Sequence, residues 1–108
     1  MVVEDVAFAG RTAELQRDAG LSDLAIAFAS VRDGALRLEG FVDATSDAAG
    51  DVRLSLAMAR AAAERLAALG IPRARLASAG RGGTSPILPN FTVRGRTANR
   101  RVEVVVVP

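Results

Sequence analysis

The 108-residue chain contains no cysteine, histidine, tryptophan, tyrosine or lysine. With neither cysteine nor histidine, disulfides, thiolate nucleophiles, zinc sites built on those ligands and an imidazole general base are all excluded. Most enzyme chemistry loses its usual parts, so the expectation is a chain that is not an enzyme and binds no cofactor or metal. Bulk is scarce as well: the only aromatics are four phenylalanines, and 22 alanines supply much of the 50% apolar content. The core is therefore expected to be thin, with helices packed closely through alanine faces. No apolar run approaches the roughly 20 residues that span a bilayer. The opening "MVVEDVAF" lacks the basic start and apolar stretch of a secretory signal, so any leader or membrane anchor is expected in a longer parent protein.

What is present begins with length. At 108 residues the chain suffices for one core and is too short for two, which predicts a single domain over 1–108. The net charge of +2 conceals an asymmetry: residues 1–51 carry 4 Arg against 10 acids, and residues 52–108 carry 10 Arg against 2 acids. All 14 basic residues are arginine, the side chain suited to two-point contacts with carboxylate or phosphate. Four of them fall within eight positions of "NFTVRGRTANRRVEVVVV" and run straight into a valine-rich strand.

Val2 to Phe8 are rich in β-branched and apolar residues and predict a first strand. Leu21, Leu24, Ala25, Phe28 and Val31 recur at helical spacing, with Asp18 or Ser22 as cap, and predict a first helix that stops near "RDG". "ALRLEGFV" alternates as a half-buried strand does, and "DATSDAAGD" reads as a loop. "VRLSLAMARAAAERLAAL" consists of strong helix formers and sets Val52, Leu56, Ala59, Ala63 and Leu66 on one side. Gly70 then suits the left-handed position after the helix, and Pro72 blocks its continuation. "ARLASAG" predicts a strand, "RGGTSPILPN" a loop, "GRTANRR" a short turn and "RVEVVVV" a last strand. The order predicts the α+β class: a β-α-β-α-β-β two-layer sandwich, its mixed sheet covered on one face by two main helices.

Asn90, Thr92, Gly95, Arg96, Asn99, Arg100, Arg101, Val102 and Glu103 fit the pattern N-x-T-x-x-G-R-x-x-N-R-R-V-E. Upstream, "LAALGIPRARLASAGRGGTSPI" fits L-x-x-x-G-I-x-x-x-R-L-x-x-x-G-x-G-x-x-x-P-I, and the start enters through Phe8, Thr12, Ala13 and Leu15. In these motifs the chain resembles the OmpA C-terminal-like (OmpA/MotB) peptidoglycan-binding domains over nearly its whole length. The family's ligand motif, G-H-T-D-x-x-G followed by N-x-x-L-S-x-x-R-A, is matched at Gly40, Asp43, Leu56, Arg60 and Ala61. Phe41, Val42, Arg53 and Ala57 stand where the family has His, Thr, Asn and Ser, and the loop between the two halves reads about two residues longer.

The resemblance implies that Asp43 and Arg60 grip the diaminopimelate of the peptidoglycan stem peptide. Phe41, Val42, Arg53, Leu56, Asn99 and Arg100 are expected around them, in the periplasm or cell envelope. A zwitterionic amino-acid group wants one fixed acceptor for its ammonium and one fork-shaped donor for its carboxylate. An Asp–Arg pair that merely braces the structure is the plain alternative. One shallow site binds weakly, so anchoring is expected from linked copies, a homo-oligomer among them, or from a membrane-tethered parent. Phe41 and Val42 also admit a degenerate domain that has lost its ligand and serves as a scaffold. Nucleic acid is not expected as a partner, because the chain has no Tyr or Trp for stacking and its basic half shares the domain with an acidic one. The glycines of "GRGGTSP" lack a P-loop lysine, and Asp43, Asp47 and Asp51 lack the ligand spacing of a calcium loop.

Overall fold

The computed structural model describes residues 1–108. In chain order the elements are β1 (Ala7–Phe8), β2 (Leu15–Arg17), α1 (Ala19–Phe28), β3 (Ala35–Phe41), α2 (Ala48–Ala68), β4 (Leu76–Gly80), α3 (Val93–Asn99) and β5 (Arg101–Val107). The main sheet has the order β4-β3-β5, with β3 parallel to β4 and antiparallel to β5, while β1 and β2 form a separate small hairpin. Leu36 and Leu38 of β3, with Val102 and Val104 of β5, turn one face of this sheet toward Leu21, Ala25 and Phe28 of α1 and Ala59, Ala62 and Leu66 of α2. The fold is therefore of the expected α+β class with a mixed sheet.

Two glycines decide how α2 meets the sheet. Gly40 of β3 lies beside Gly80 of β4 in the parallel register. A Cβ on Gly40 would stand 1.8 Å from the Ser55 carbonyl oxygen, and one on Gly80 would stand 2.7 Å from the Leu56 amide nitrogen. The first half of α2 thus rests on bare backbone. Its inward stripe is Asp51, Ser55, Met58, Ala59, Ala62 and Leu66. This corrects the face predicted through Val52, Leu56 and Ala63: Val52 is 44% exposed, and Leu56 and Ala63 are only half-buried. Where backbone approaches backbone, small and polar residues fit and the larger aliphatics are displaced to the flanks.

The other differences have local causes. α2 starts at Ala48, four residues before the expected start, because the Asp47 carboxylate accepts the Gly50 N–H at 2.9 Å and caps it. The strand expected over Val2–Phe8 is broken at Asp5, whose φ of 54° turns the chain away after Val3 has bonded to Val102 on the β5 edge. α1 ends at Phe28, before Val31, where the Arg75 guanidinium covers the Phe28 ring at 4.3 Å and takes the carbonyls of Val31 and Gly34 at 2.9 and 3.0 Å. The "GRTANRR" turn is in part a helix, α3, capped by the Thr92 hydroxyl, which accepts from the Gly95 N–H at 2.9 Å. Gly70 does adopt a φ of 104°, and the Ile71 N–H folds back onto the Leu66 carbonyl at 3.1 Å.

Leu66 is fully buried in the core, so Leu66→Ala should lower the unfolding free energy by about 2–5 kcal/mol in a urea titration. Arg73→Ala, at an exposed side chain, should leave the midpoint unchanged.

Candidate functional site

β3 carries Phe41, Val42 and Asp43 to the end of the sheet, where the three are 7%, 2% and 4% exposed. Phe41 packs under the Arg101 guanidinium at 4.1 Å, and the Val42 N–H donates to the Gly82 carbonyl at 3.0 Å. Asp43 is a buried carboxylate, and a buried charge persists only when it is paired. Two guanidinium groups supply the pairing. Arg11, from the turn between β1 and β2, places Nη1 at 2.6 Å from Asp43 Oδ1 and 2.8 Å from the Asp43 carbonyl oxygen. Arg100, which follows α3, donates from Nη1 to the same Oδ1 at 3.3 Å and from Nη2 to the Thr97 hydroxyl at 3.3 Å. Asp43 Oδ2 accepts nothing from the chain and is not sealed from the surface.

A second buried acid completes the arrangement. Asp51, in the first turn of α2, is 3% exposed. It accepts from Arg11 Nη2 at 2.9 Å and, at 2.7 Å each, from the Thr45 N–H and hydroxyl. Burial pushes its carboxyl upward, but the bonds from Thr45 and Arg11 outweigh that and hold it below the ordinary aspartate value. On the sheet, burial likewise raises Glu39, and Arg81 and Arg37 outweigh it and leave the group below its ordinary value. Beside Arg100 opens a cavity of about 270 Å³ lined by Val6, Phe8, Gly10, Arg17 and Thr97 among others.

Of the expected site residues, Asp43 and Arg100 come together here. Arg60 does not join them. It lies nine residues beyond Asp51, which is two and a half helical turns and about 13 Å along the axis, and so on the opposite side of α2. It is exposed and lines a larger cavity of about 350 Å³ with Glu64, Arg73 and Ser78, against the outer side of β4. The Asp43–Arg60 clamp is thus corrected by the helix's own geometry. So is the two-residue insertion: with Leu54 and Ser55 as the motif's L-S, its asparagine position falls on Asp51 and its arginine position on Met58. Ser55 is buried, and its hydroxyl accepts the Gly82 N–H at 2.9 Å.

Arg53 is 74% exposed and only 4.0 Å from Asp47, while Leu56 packs beneath Gly80. Asn99 is fully buried and braces the loop before α3: its Oδ1 accepts from Ile87 and Leu88, and its Nδ2 donates to the Leu88 carbonyl and to Asn90. Arg11, Thr45, Asp51 and Thr97 went unpredicted. The run of acids in "DATSDAAGD" was the available signal for Asp51. A lone arginine in a short turn carried none for Arg11.

The mixed-sheet α+β domain thus carries paired acids and guanidinium groups at the end of its central strand. The chain belongs to the OmpA family, whose model matches residues 8–100. It is 36% identical over 74 residues to the peptidoglycan-binding protein ArfA of Mycobacterium tuberculosis, covering 68% of this chain and 23% of that protein. The outer-membrane lipoprotein YfiB of Pseudomonas aeruginosa is 34% identical over 86 residues, 80% of this chain and 51% of that one. The match therefore spans 23% of the length of the first of these relatives and 51% of the second. The peptidoglycan-associated lipoprotein of Burkholderia pseudomallei superposes with a TM-score of 0.84 at 21% identity, over 94% of this chain and 87% of that chain. The periplasmic domain of Helicobacter pylori MotB does so at 0.82 and 19%, over 99% and 73%.

The two lowered carboxyls set a pH dependence. Unfolded, Asp51 and Glu39 take up protons near pH 4, above their folded values. Their stabilising effect is full above that pH and is lost as pH falls through the folded values. Thermal unfolding at pH 7, 4 and 3 should show the midpoint falling over the last two, and less steeply in Asp51→Asn.

Proposed function

We propose that residues 1–108 act as one non-catalytic module that holds an envelope protein to peptidoglycan, and that its site grips the diaminopimelate of the stem peptide. The observation that carries this is Asp43. It is buried, it is anchored through Oδ1 by Arg11 and Arg100, and its Oδ2 has no partner in the chain. An acceptor held so, beside guanidinium groups with spare N–H donors, matches an ammonium and a carboxylate on one carbon. The name of ArfA, a peptidoglycan-binding protein, and membership of the OmpA family support peptidoglycan as the partner.

The scaffold alternative rests on Phe41 and Val42. Both are buried, Phe41 under the Arg101 guanidinium at 4.1 Å and Val42 with its N–H on the Gly82 carbonyl. One such site binds weakly, and retention at the cell wall comes from linkage to other copies or to a tethered parent chain.

Purified diaminopimelate-type sacculi should retain the wild-type chain in a sedimentation assay. Asp43→Asn and Arg100→Ala should each weaken retention at least tenfold, because each removes a charged hydrogen-bonding group worth about 1.5–3 kcal/mol. Arg60→Ala should change nothing. Failure of the wild type to bind sacculi, with the stem peptide inert at millimolar concentration, would refute the assignment.

A further inference from the structure

Helix α2 offers no guanidinium to Asp43. Arg53 points its charge toward Asp47 at the exposed helix start, Arg60 lies on the far side, and the motif's arginine position is taken by Met58, which is fully buried. Arg11 arrives from a different element. Its turn is held by the Ala9 N–H on the Glu14 carbonyl at 2.9 Å and the Thr12 hydroxyl on the Ala9 carbonyl at 2.6 Å. Gly10, with a φ of 51°, sits at the bend and lines the cavity that Arg100 also lines.

A guanidinium has five N–H donors. Arg11 uses two from Nη1 on Asp43 and one from Nη2 on Asp51, leaving Nε–H and one Nη2–H without a partner in the chain. Its side chain is 32% exposed, against 6% and 4% for the two carboxylates that hold it. A fork held in place with one edge open to solvent suits a ligand, because it loses little rotamer freedom on binding.

We propose that Arg11 receives the ligand's carboxylate in place of the arginine that α2 lacks, with Asp51 and Thr45 as the positioning groups that hold it. This rests on the reading of the site as a diaminopimelate receptor and adds a specificity to it. With Arg11 and Arg100 both facing Asp43, the site selects a third stem residue that carries a free carboxylate next to its ammonium. It discriminates against the carboxamide and against lysine, whose side chain ends in an ammonium alone.

The test uses the wild-type chain labelled with nitrogen-15 and stem tetrapeptides, L-Ala-γ-D-Glu-X-D-Ala, in which X is meso-diaminopimelate, its side-chain amide or lysine. The arginine Nε–H resonances are followed, with that of Arg11 assigned by its loss in Arg11→Lys. The diaminopimelate peptide should shift the Arg11 resonance, and the amide and lysine peptides should bind at least tenfold more weakly. Arg11→Lys keeps a cation between the two carboxylates, so its melting midpoint should stay near that of the wild type while its affinity falls at least tenfold. An Arg11 resonance that stays still while that of Arg100 moves would overturn the proposal. So would an Arg11→Lys chain that binds like the wild type, or amide and diaminopimelate peptides that bind alike. If the diaminopimelate peptide moves no resonance and sacculi fail to retain the chain, the receptor reading itself falls, and this one with it.

Discussion

The contact on which the rest depends is the one between the backbone of α2 and the backbone of β3. With the Ser55 carbonyl oxygen 1.8 Å from where a Gly40 Cβ would be, the helix cannot rotate or withdraw without opening the core. That contact selects the stripe from Asp51 to Leu66 as the inward one. It also holds Asp51, at the top of the stripe, within reach of the guanidinium that serves Asp43. The same rotation sends Arg60 outward. Site geometry and core packing are thus set by one close approach, and a thin, alanine-rich helix is what permits it.

The arginines close the gap between an acidic first half and a basic second half. Arg65 reaches Asp18 at 2.7 Å, Arg81 bonds Glu39, Arg100 reaches Asp43, and Arg75 takes carbonyls of the loop after α1. Arg101 lies buried between Glu103, the Ser85 carbonyl and the Phe41 ring. Much of the basic half therefore ties loops to strands across long sequence separations, with Arg101 alone of its arginines buried. The crowded arginines before β5 divide in role: Arg96 holds the Asn90 carbonyl at 3.0 Å, Arg101 braces the sheet, and Arg100 pairs with Asp43.

The site works by constraint more than by charge count. Two acids and two guanidinium groups nearly cancel, and each acid would be unfavourable where it is without its partners. Thr45 adds two bonds to Asp51 at once, from its N–H and its hydroxyl, which fastens the β3–α2 loop to the helix start. A loop so fastened presents Asp43 Oδ2 in one place, which is the fixed acceptor the proposed ligand contact requires.

Local chemistry determined much of this protein. The residue types of β3, β4 and β5, the left-handed Gly70 after α2 and the tail motif ending in Glu103 are each legible over a few neighbours, because propensity and turn geometry act over that range. Asp43 and Arg100 were singled out too, through the resemblance their motifs carry, and the structure brings them together. Which face of α2 lies inward was decided elsewhere, since only the pairing of Gly40 with Gly80 shows that the helix approaches backbone to backbone. The expected partner Arg60 fell with that face. Arg11 rose in its place, 32 residues before Asp43 and in a turn with no periodicity to mark it. A salt bridge from a turn to two buried carboxylates depends on where three separate elements end, and nothing in a local stretch of sequence records that distance.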